Sequence, residues 1–309
     1  MKNNNKDKKY VELIWAEKYK DFVRPEKRTE IERIALPFQI TETINEPRIK
    51  EIEDAINRGY KNVYPKIKYP KNYPQDWKNK LIWGDNKIVM ESLLRGDKSS
   101  SIPSLAGKIN LIYIDPPFFT GSDFSVKTTI GNKEVEKEPS IIEQRAYIDT
   151  WSQGIASYLK YMYERFVLMR ELLADNGSIY VHLDERLGHY IKIILDEIFG
   201  YDNFRNEIVW RYKSGGSSEK GHYSRKHDVI FFYTKSDKYT FRTLKEKSYS
   251  REFKPYHFEG VQEFTDEIGS YTVVNMKDVW NIDMVGRTSK ERLDYATQKP
   301  EQLLKRIIV

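Results

Sequence analysis

The 309-residue chain contains no cysteine. That excludes disulfides, thiolate metal sites and any mechanism with a cysteine nucleophile. Its five histidines, His182, His189, His222, His227 and His257, fall in no metal-ligand spacing, and no metal is expected. Long apolar runs are missing as well. None approaches the ~20 residues that cross a bilayer, so no membrane partner is expected. Met1 to Lys9 lacks the apolar centre of a secretory signal, and the expected compartment is the cytoplasm. A phosphate-cradling loop is absent too, because Gly215-Gly216 has neither a Gly-Lys-Ser/Thr ending nor a helix after it.

What is present describes a soluble, globular chain with 39% hydrophobic and 32% charged residues, long enough for a sizeable core. Lysine and arginine number 52 against 46 aspartate and glutamate, a net +6 compatible with a polyanionic partner. The first 78 residues read as an N-terminal arm followed by a connector rich in proline and tyrosine. Leu81-Ile82-Trp83 reads as a short strand. Gly84-Asp85-Asn86 then turns into a helix near Lys87, with Val89, Leu93 and Leu94 on its apolar face.

The apolar run Leu111-Ile112-Tyr113-Ile114 reads as a buried strand and stops at Asp115-Pro116-Pro117-Phe118. A carboxylate accepts a hydrogen from an amine, and two prolines fix φ and remove two backbone donors. Phe118 adds a flat face on which an unstacked base can lie. A plain strand-terminating turn would have the same look. Beyond it, Phe119 to Arg145 reads as a long loop and a candidate lid.

From Trp151 to Asp175 apolar residues recur at helical spacing, and Asp175-Asn176-Gly177 reads as a left-handed stop. Ser178 to Leu183 follows as a buried strand in which His182 is a core or pocket-wall residue. A helix opening at Asp184-Glu185-Arg186 places Ile191, Ile194, Leu195, Ile198 and Phe199 inward. This alternation predicts a parallel α/β sheet with crossover helices. Ile208 to Trp210 and Val229 to Tyr233 read as further strands joined by a basic loop. Residues 239–290 read as an inserted module of irregular or antiparallel structure.

Near the end stands Thr297-Gln298-Lys299-Pro300-Glu301, with Thr297 as a helix cap, Pro300 in the first turn, and Leu303, Leu304, Ile307 and Ile308 as the buried face. Together, in this order, the Asp-Pro-Pro-Phe turn and this segment resemble the DNA amino-methyltransferases. The nearest likeness is to the modification subunits of type III restriction systems and related adenine-specific enzymes.

The resemblance implies a Rossmann-like, S-adenosylmethionine-dependent methyltransferase fold with an inserted target-recognition region. It implies a catalytic part over 79–235, a target-recognition insert over 236–290 and the start of a cofactor-binding part over 291–309. Asp115, Pro116, Pro117 and Phe118 would be catalytic. Asp85, Asn86, Thr297, Gln298, Lys299 and Pro300 would line the cofactor pocket, and Arg211, Lys213, Lys220, Arg225 and Lys226 would meet DNA phosphates. The implied partners are double-stranded DNA and a restriction subunit or second methyltransferase subunit.

The implied reaction is methylation of the N6 amine of adenine on a flipped base. Methylation at cytosine carbon 5, which uses a cysteine, is out; cytosine N4 stays open, as does an inactive fragment that only binds DNA or a partner. RNA or a protein glutamine amide as substrate explains the basic insert and the Thr-Gln-Lys-Pro segment less well. The chain departs from the family by lacking a Phe-x-Gly-x-Gly loop. The expectation is truncation at Val309, with central strands missing and the Leu111 to Ile114 strand left with an unpaired edge.

Overall fold

The structure, a computed structural model, describes residues 11–15, 18–19, 31–41, 79–118, 126–130, 133–137, 154–213, 221–249, 252–255, 257, 259–286, 288–293 and 297–308. The chain divides into two compact units, residues 33–104 and residues 1–32 with 105–309.

In the smaller unit, α1 spans Asn86–Arg95. The Asp85 Oδ1 accepts from the backbone N–H of Lys87 at 2.8 Å and of Ile88 at 3.2 Å, satisfying donors that a helix start leaves open. Its buried residues are Met90, Glu91 and Ser92, while the expected Val89, Leu93 and Leu94 are only partly covered. Glu91 faces Arg33 at 3.5 Å, and Ser92 accepts from the Leu36 N–H at 2.9 Å. Polar residues thus fill this face because the segment 33–38 brings them partners. The expected strand at Leu81 to Trp83 does not form. Leu81 and Trp83 are exposed and pair with no strand among the described residues.

The larger unit is built on a five-stranded sheet in the order β1-β4-β6-β5-β10. Its strands are β1 Ile109–Ile114, β4 Leu173–Leu183, β5 Phe204–Arg211, β6 His227–Thr234 and β10 Val279–Asn281. β1 runs parallel to β4, with Tyr113 beside Tyr180 and Ile114 beside Val181. β6 is antiparallel to both β4 and β5, and β10 is parallel to β5. The sheet is therefore mixed, not parallel throughout. The sequence alternation leads to the parallel β1–β4 pair, but between Arg211 and His227 the chain turns back on itself and β6 pairs with β5 as in a hairpin.

Helix α2, Ile155–Leu172, leads into β4 and buries Tyr158, Leu159, Met162, Phe166, Leu168 and Met169. It stops at Leu173 in extended backbone, four residues before Gly177. Gly177 is needed for a different reason from the one expected. A Cβ there would lie 2.9 Å from the carbonyl oxygens of Ala174 and Ile109, so only glycine lets β1 approach the start of β4. Helix α3, Gly188–Phe199, begins after a turn at 185–187 and buries Ile191, Ile194, Leu195 and Phe199.

On the opposite face, Tyr180, Ile208, Trp210, Ile230 and Phe232 form one cluster with Trp280, Ile282, Leu303 and Ile307. Tyr180 and Phe232 stack at 4.4 Å with rings 5° apart. This face is closed by α4, Glu301–Ile308, whose buried residues are Leu303 and Ile307; Ile308 is exposed. Pro300 precedes the helix instead of sitting in its first turn, and its carbonyl accepts from Leu303 N–H at 3.0 Å. That carbonyl takes the role expected of Thr297.

The expected insert contains a three-stranded antiparallel sheet in the order β7-β9-β8, of Lys245–Tyr249, Ser270–Asn275 and Glu263–Thr265. A separate antiparallel pair, β2 Val126–Ile130 and β3 Lys133–Lys137, lies within the expected lid; its other residues are outside those described. The described part of the N-terminal arm is held by Lys18, which is buried between Glu12 and Glu197, each at 2.7 Å. Trp15 meets Tyr163 of α2 edge to face at 5.5 Å. Among the described residues no helix is long and apolar enough to cross a membrane, and no group of His, Asp and Glu could hold a metal ion.

Candidate active site

The direction of the strands fixes where the chemistry can lie. β1, β4 and β5 point the same way, so Asp115 after β1, Asp184 after β4 and the Arg211 end of β5 share one edge of the sheet. That carboxyl edge is where open α/β sheets bind ligands.

Asp115 is on the surface of this edge, its side chain 27% exposed, so the carboxylate is not sealed inside. Its Oδ2 accepts from the Lys299 Nζ at 2.6 Å, a contact across 184 positions of sequence. Lys299 also lies 5.8 Å from the centre of the Phe118 ring. The two sequence anchors thus meet in space. A partly exposed ion pair of this kind contributes no more than about 1 kcal/mol, so a ligand can displace it.

Behind Asp115 stands His182 of β4, fully buried. Its Nδ1 is 3.0 Å from the Tyr113 hydroxyl and 3.6 Å from the Asp115 Oδ1. Its Nε2 is 3.0 Å from the Asp228 Oδ2, whose Oδ1 accepts from the Tyr212 hydroxyl at 3.1 Å. The imidazole edge meets Phe118 at 5.6 Å and Trp210 at 5.3 Å. Burial, with Asp115 and Asp228 nearby, pushes the Tyr113 hydroxyl far above its ordinary pKa. Burial and Asp228 do the same for Tyr212, so both phenols stay protonated donors. Asp184 at the same edge is raised by burial as well.

The other expected cofactor residues divide. Gln298 is engaged within its own loop: Oε1 accepts from Leu293 N–H at 2.8 Å and Nε2 donates to the Glu291 carbonyl at 2.6 Å. Thr297 is exposed and Pro300 is buried at the helix start. Asp85 and Asn86 belong to the smaller unit, where Asp85 caps α1.

Of the expected DNA-contacting residues, Arg211, Lys213, Arg225 and Lys226 gather at the loop end of the β5–β6 hairpin, and Lys220 lies outside the described residues. There Tyr212 N–H donates to the Lys226 carbonyl at 3.0 Å. Arg211 donates to Asn281 at 3.1 Å, and Arg225 pairs with Glu185 at 2.9 Å.

Reading the sequence alone passed over Asp228 and gave His182 no task beyond the core or pocket wall. One signal was available. Asp228 is in phase with Ile230 and Phe232 on an otherwise apolar strand, so its carboxylate had to find a partner on the buried face.

An acidic, proline-stiffened turn at the carboxyl edge of a mixed sheet, met by a lysine from the far end of the chain, makes this an α/β protein with a candidate ligand site at that edge. Residues 109–309 match the DNA methylase family, and the chain belongs to it. It is 36% identical over 169 residues to the type II methyltransferase M.EcaI of Enterobacter cloacae, which covers 54% of this chain and 32% of that protein. It is 28% identical over 194 residues to the EcoP15I Mod subunit of a type III restriction-modification enzyme of Escherichia coli, 57% of this chain and 28% of the relative. Over 234 residues it is 23% identical to the DNA adenine methyltransferase YhdJ of Escherichia coli, 71% of this chain and 66% of that one. The chain therefore spans about a third of the first two relatives.

Proposed function

We propose that this protein transfers a methyl group from S-adenosylmethionine to the N6 amine of adenine in double-stranded DNA, as the modification arm of a restriction-modification system. The observation that carries the reading is the contact of Lys299 with Asp115, which joins the two motifs at one sheet edge.

S-adenosylmethionine supplies an electrophilic methyl on a sulfonium centre. Lys299 suits that cofactor, because its ammonium, only 15% exposed, can exchange the Asp115 carboxylate for the carboxylate of a methionyl group. The residues of the turn do the rest. Asp115 accepts one N–H of the base amine, the Pro116 carbonyl accepts the other, and the nitrogen lone pair is left facing the incoming methyl. Phe118 offers its ring to the extruded base. As the new N–C bond forms and the S–C bond breaks, the nitrogen gives up one proton, which Asp115 can take. The basic residues at the β5–β6 hairpin supply phosphate contacts on the same edge.

The test is transfer of tritiated methyl from S-adenosylmethionine to unmethylated bacterial DNA, followed by nucleoside analysis. N6-methyladenine supports the reading, N4-methylcytosine replaces the base, and no incorporation overturns it. Asp115→Ala should lower transfer at least 100-fold while DNA affinity stays within about twofold, since the base amine loses its only charged acceptor. Retained activity would remove Asp115 from the mechanism.

A further inference from the structure

We infer that His182 and Asp228 are positioning residues for this transfer: Asp228 locks the His182 imidazole in one tautomer, and the locked ring fixes Phe118 while leaving the Asp115 Oδ1 free for the substrate. The inference rests on the function proposed above.

An ionised Asp228 can only accept, and Tyr212 already donates to its Oδ1 at 3.1 Å. The nitrogen 3.0 Å from its Oδ2, the His182 Nε2, must then be the one that carries hydrogen. The Tyr113 hydroxyl, which burial keeps protonated, lies 3.0 Å from Nδ1 and is its donor. Every polar atom of the buried ring is thereby satisfied, and its plane is fixed from both ends.

The fixed ring touches both working parts of the turn. Its edge lies against Phe118 at 5.6 Å, so it sets the tilt of the face that would carry the base. Its Nδ1 faces the Asp115 Oδ1 at 3.6 Å, beyond hydrogen-bond range, while Lys299 takes Oδ2. Oδ1 is therefore not captured by the ring and stays available to the substrate amine. Trp210 at 5.3 Å backs the ring from the other side. The contacts come from four strands, with Tyr113 on β1, His182 on β4, Trp210 on β5 and Asp228 on β6. Such a device belongs to the sheet and not to a loop.

Two measurements on the full chain test this. In the first, protein labelled with nitrogen-15 histidine is observed by NMR. The His182 signals should be those of a single Nε2–H tautomer, and Asp228→Asn should convert them to an averaged pattern. Averaging in the wild type, or a fixed Nδ1–H form, overturns the inference whatever the activity. In the second, tritiated methyl transfer to unmethylated bacterial DNA is compared for wild type, Asp228→Asn and Tyr212→Phe. Asp228→Asn should lower kcat on the order of 100-fold, as a misplaced reacting group does, with KM for S-adenosylmethionine within twofold and the melting temperature little changed. Tyr212→Phe, which removes one donor to Asp228 but leaves the carboxylate to hold His182, should lower kcat less than Asp228→Asn does. Equal kcat in wild type and Asp228→Asn, or a loss matching the unfolded fraction, removes the positioning role. A locked tautomer in a wild-type protein that transfers no methyl counts against the proposed function instead.

Discussion

At the scale of single residues, charge alone does not say which cations are available to a polyanion. Arg225 is held by Glu185 at 2.9 Å and Arg211 by Asn281 at 3.1 Å, so each must give up a partner before it meets a phosphate. Lys213 differs in that its backbone is pinned, its N–H donating to Asp283 at 2.8 Å, while the residue stays exposed. A pinned backbone lowers the entropy lost on binding. Lys213→Ala should therefore reduce the slope of log affinity against log salt by about one, and Arg225→Ala by less. DNA titrations by fluorescence anisotropy between low and physiological salt would read both slopes, and equal slopes in all three proteins would exclude these side chains from the interface.

Among elements, α4 matters beyond its eight residues because it begins two residues after Lys299, past Pro300. Leu303 is fully buried against the cluster of Tyr180, Trp210 and Phe232, and it anchors the turn that carries the lysine to Asp115. Leu303→Ala should cost about 2 to 5 kcal/mol of stability by the cavity it leaves. It should also lower methyl transfer more than a surface change such as Lys305→Ala, whose only described partner is Glu301 one turn away. Denaturant unfolding together with the transfer assay separates the two effects; an unchanged rate in a destabilised protein would show that α4 does not steady Lys299.

The same elements show what the sequence could disclose. The strand ending at Asp115 and the helix after Pro300 were legible because apolar spacing and proline act locally. Their meeting was not legible, since nothing in either segment encodes a distance to the other. The strand expected at Leu81 to Trp83 shows the reverse: three apolar residues satisfy a pattern, but a strand needs a neighbour, and pairing is not a local property. The His182 and Asp228 pair was illegible for the same reason. A buried histidine reads as core until the register that sets His182 beside Ile230, two places from Asp228, is known.

For the molecule as a whole, the order of its central strands carries a consequence for how the protein is made. β4 and β5 leave the ribosome first, yet the place between them belongs to β6, synthesised after both. Ser178 must wait for Thr234, and Leu183 for Val229. Pairings so remote in sequence are slow to find, because loop closure is opposed by chain entropy until the last member arrives. Backbone amides of the three strands should thus gain protection in a single kinetic phase during refolding, measured by pulsed hydrogen exchange. A chain halted before His227 should show none of it, and early protection of β4 alone would argue for a different sequence of events. His182 accordingly has no Asp228 to meet until β6 has been made.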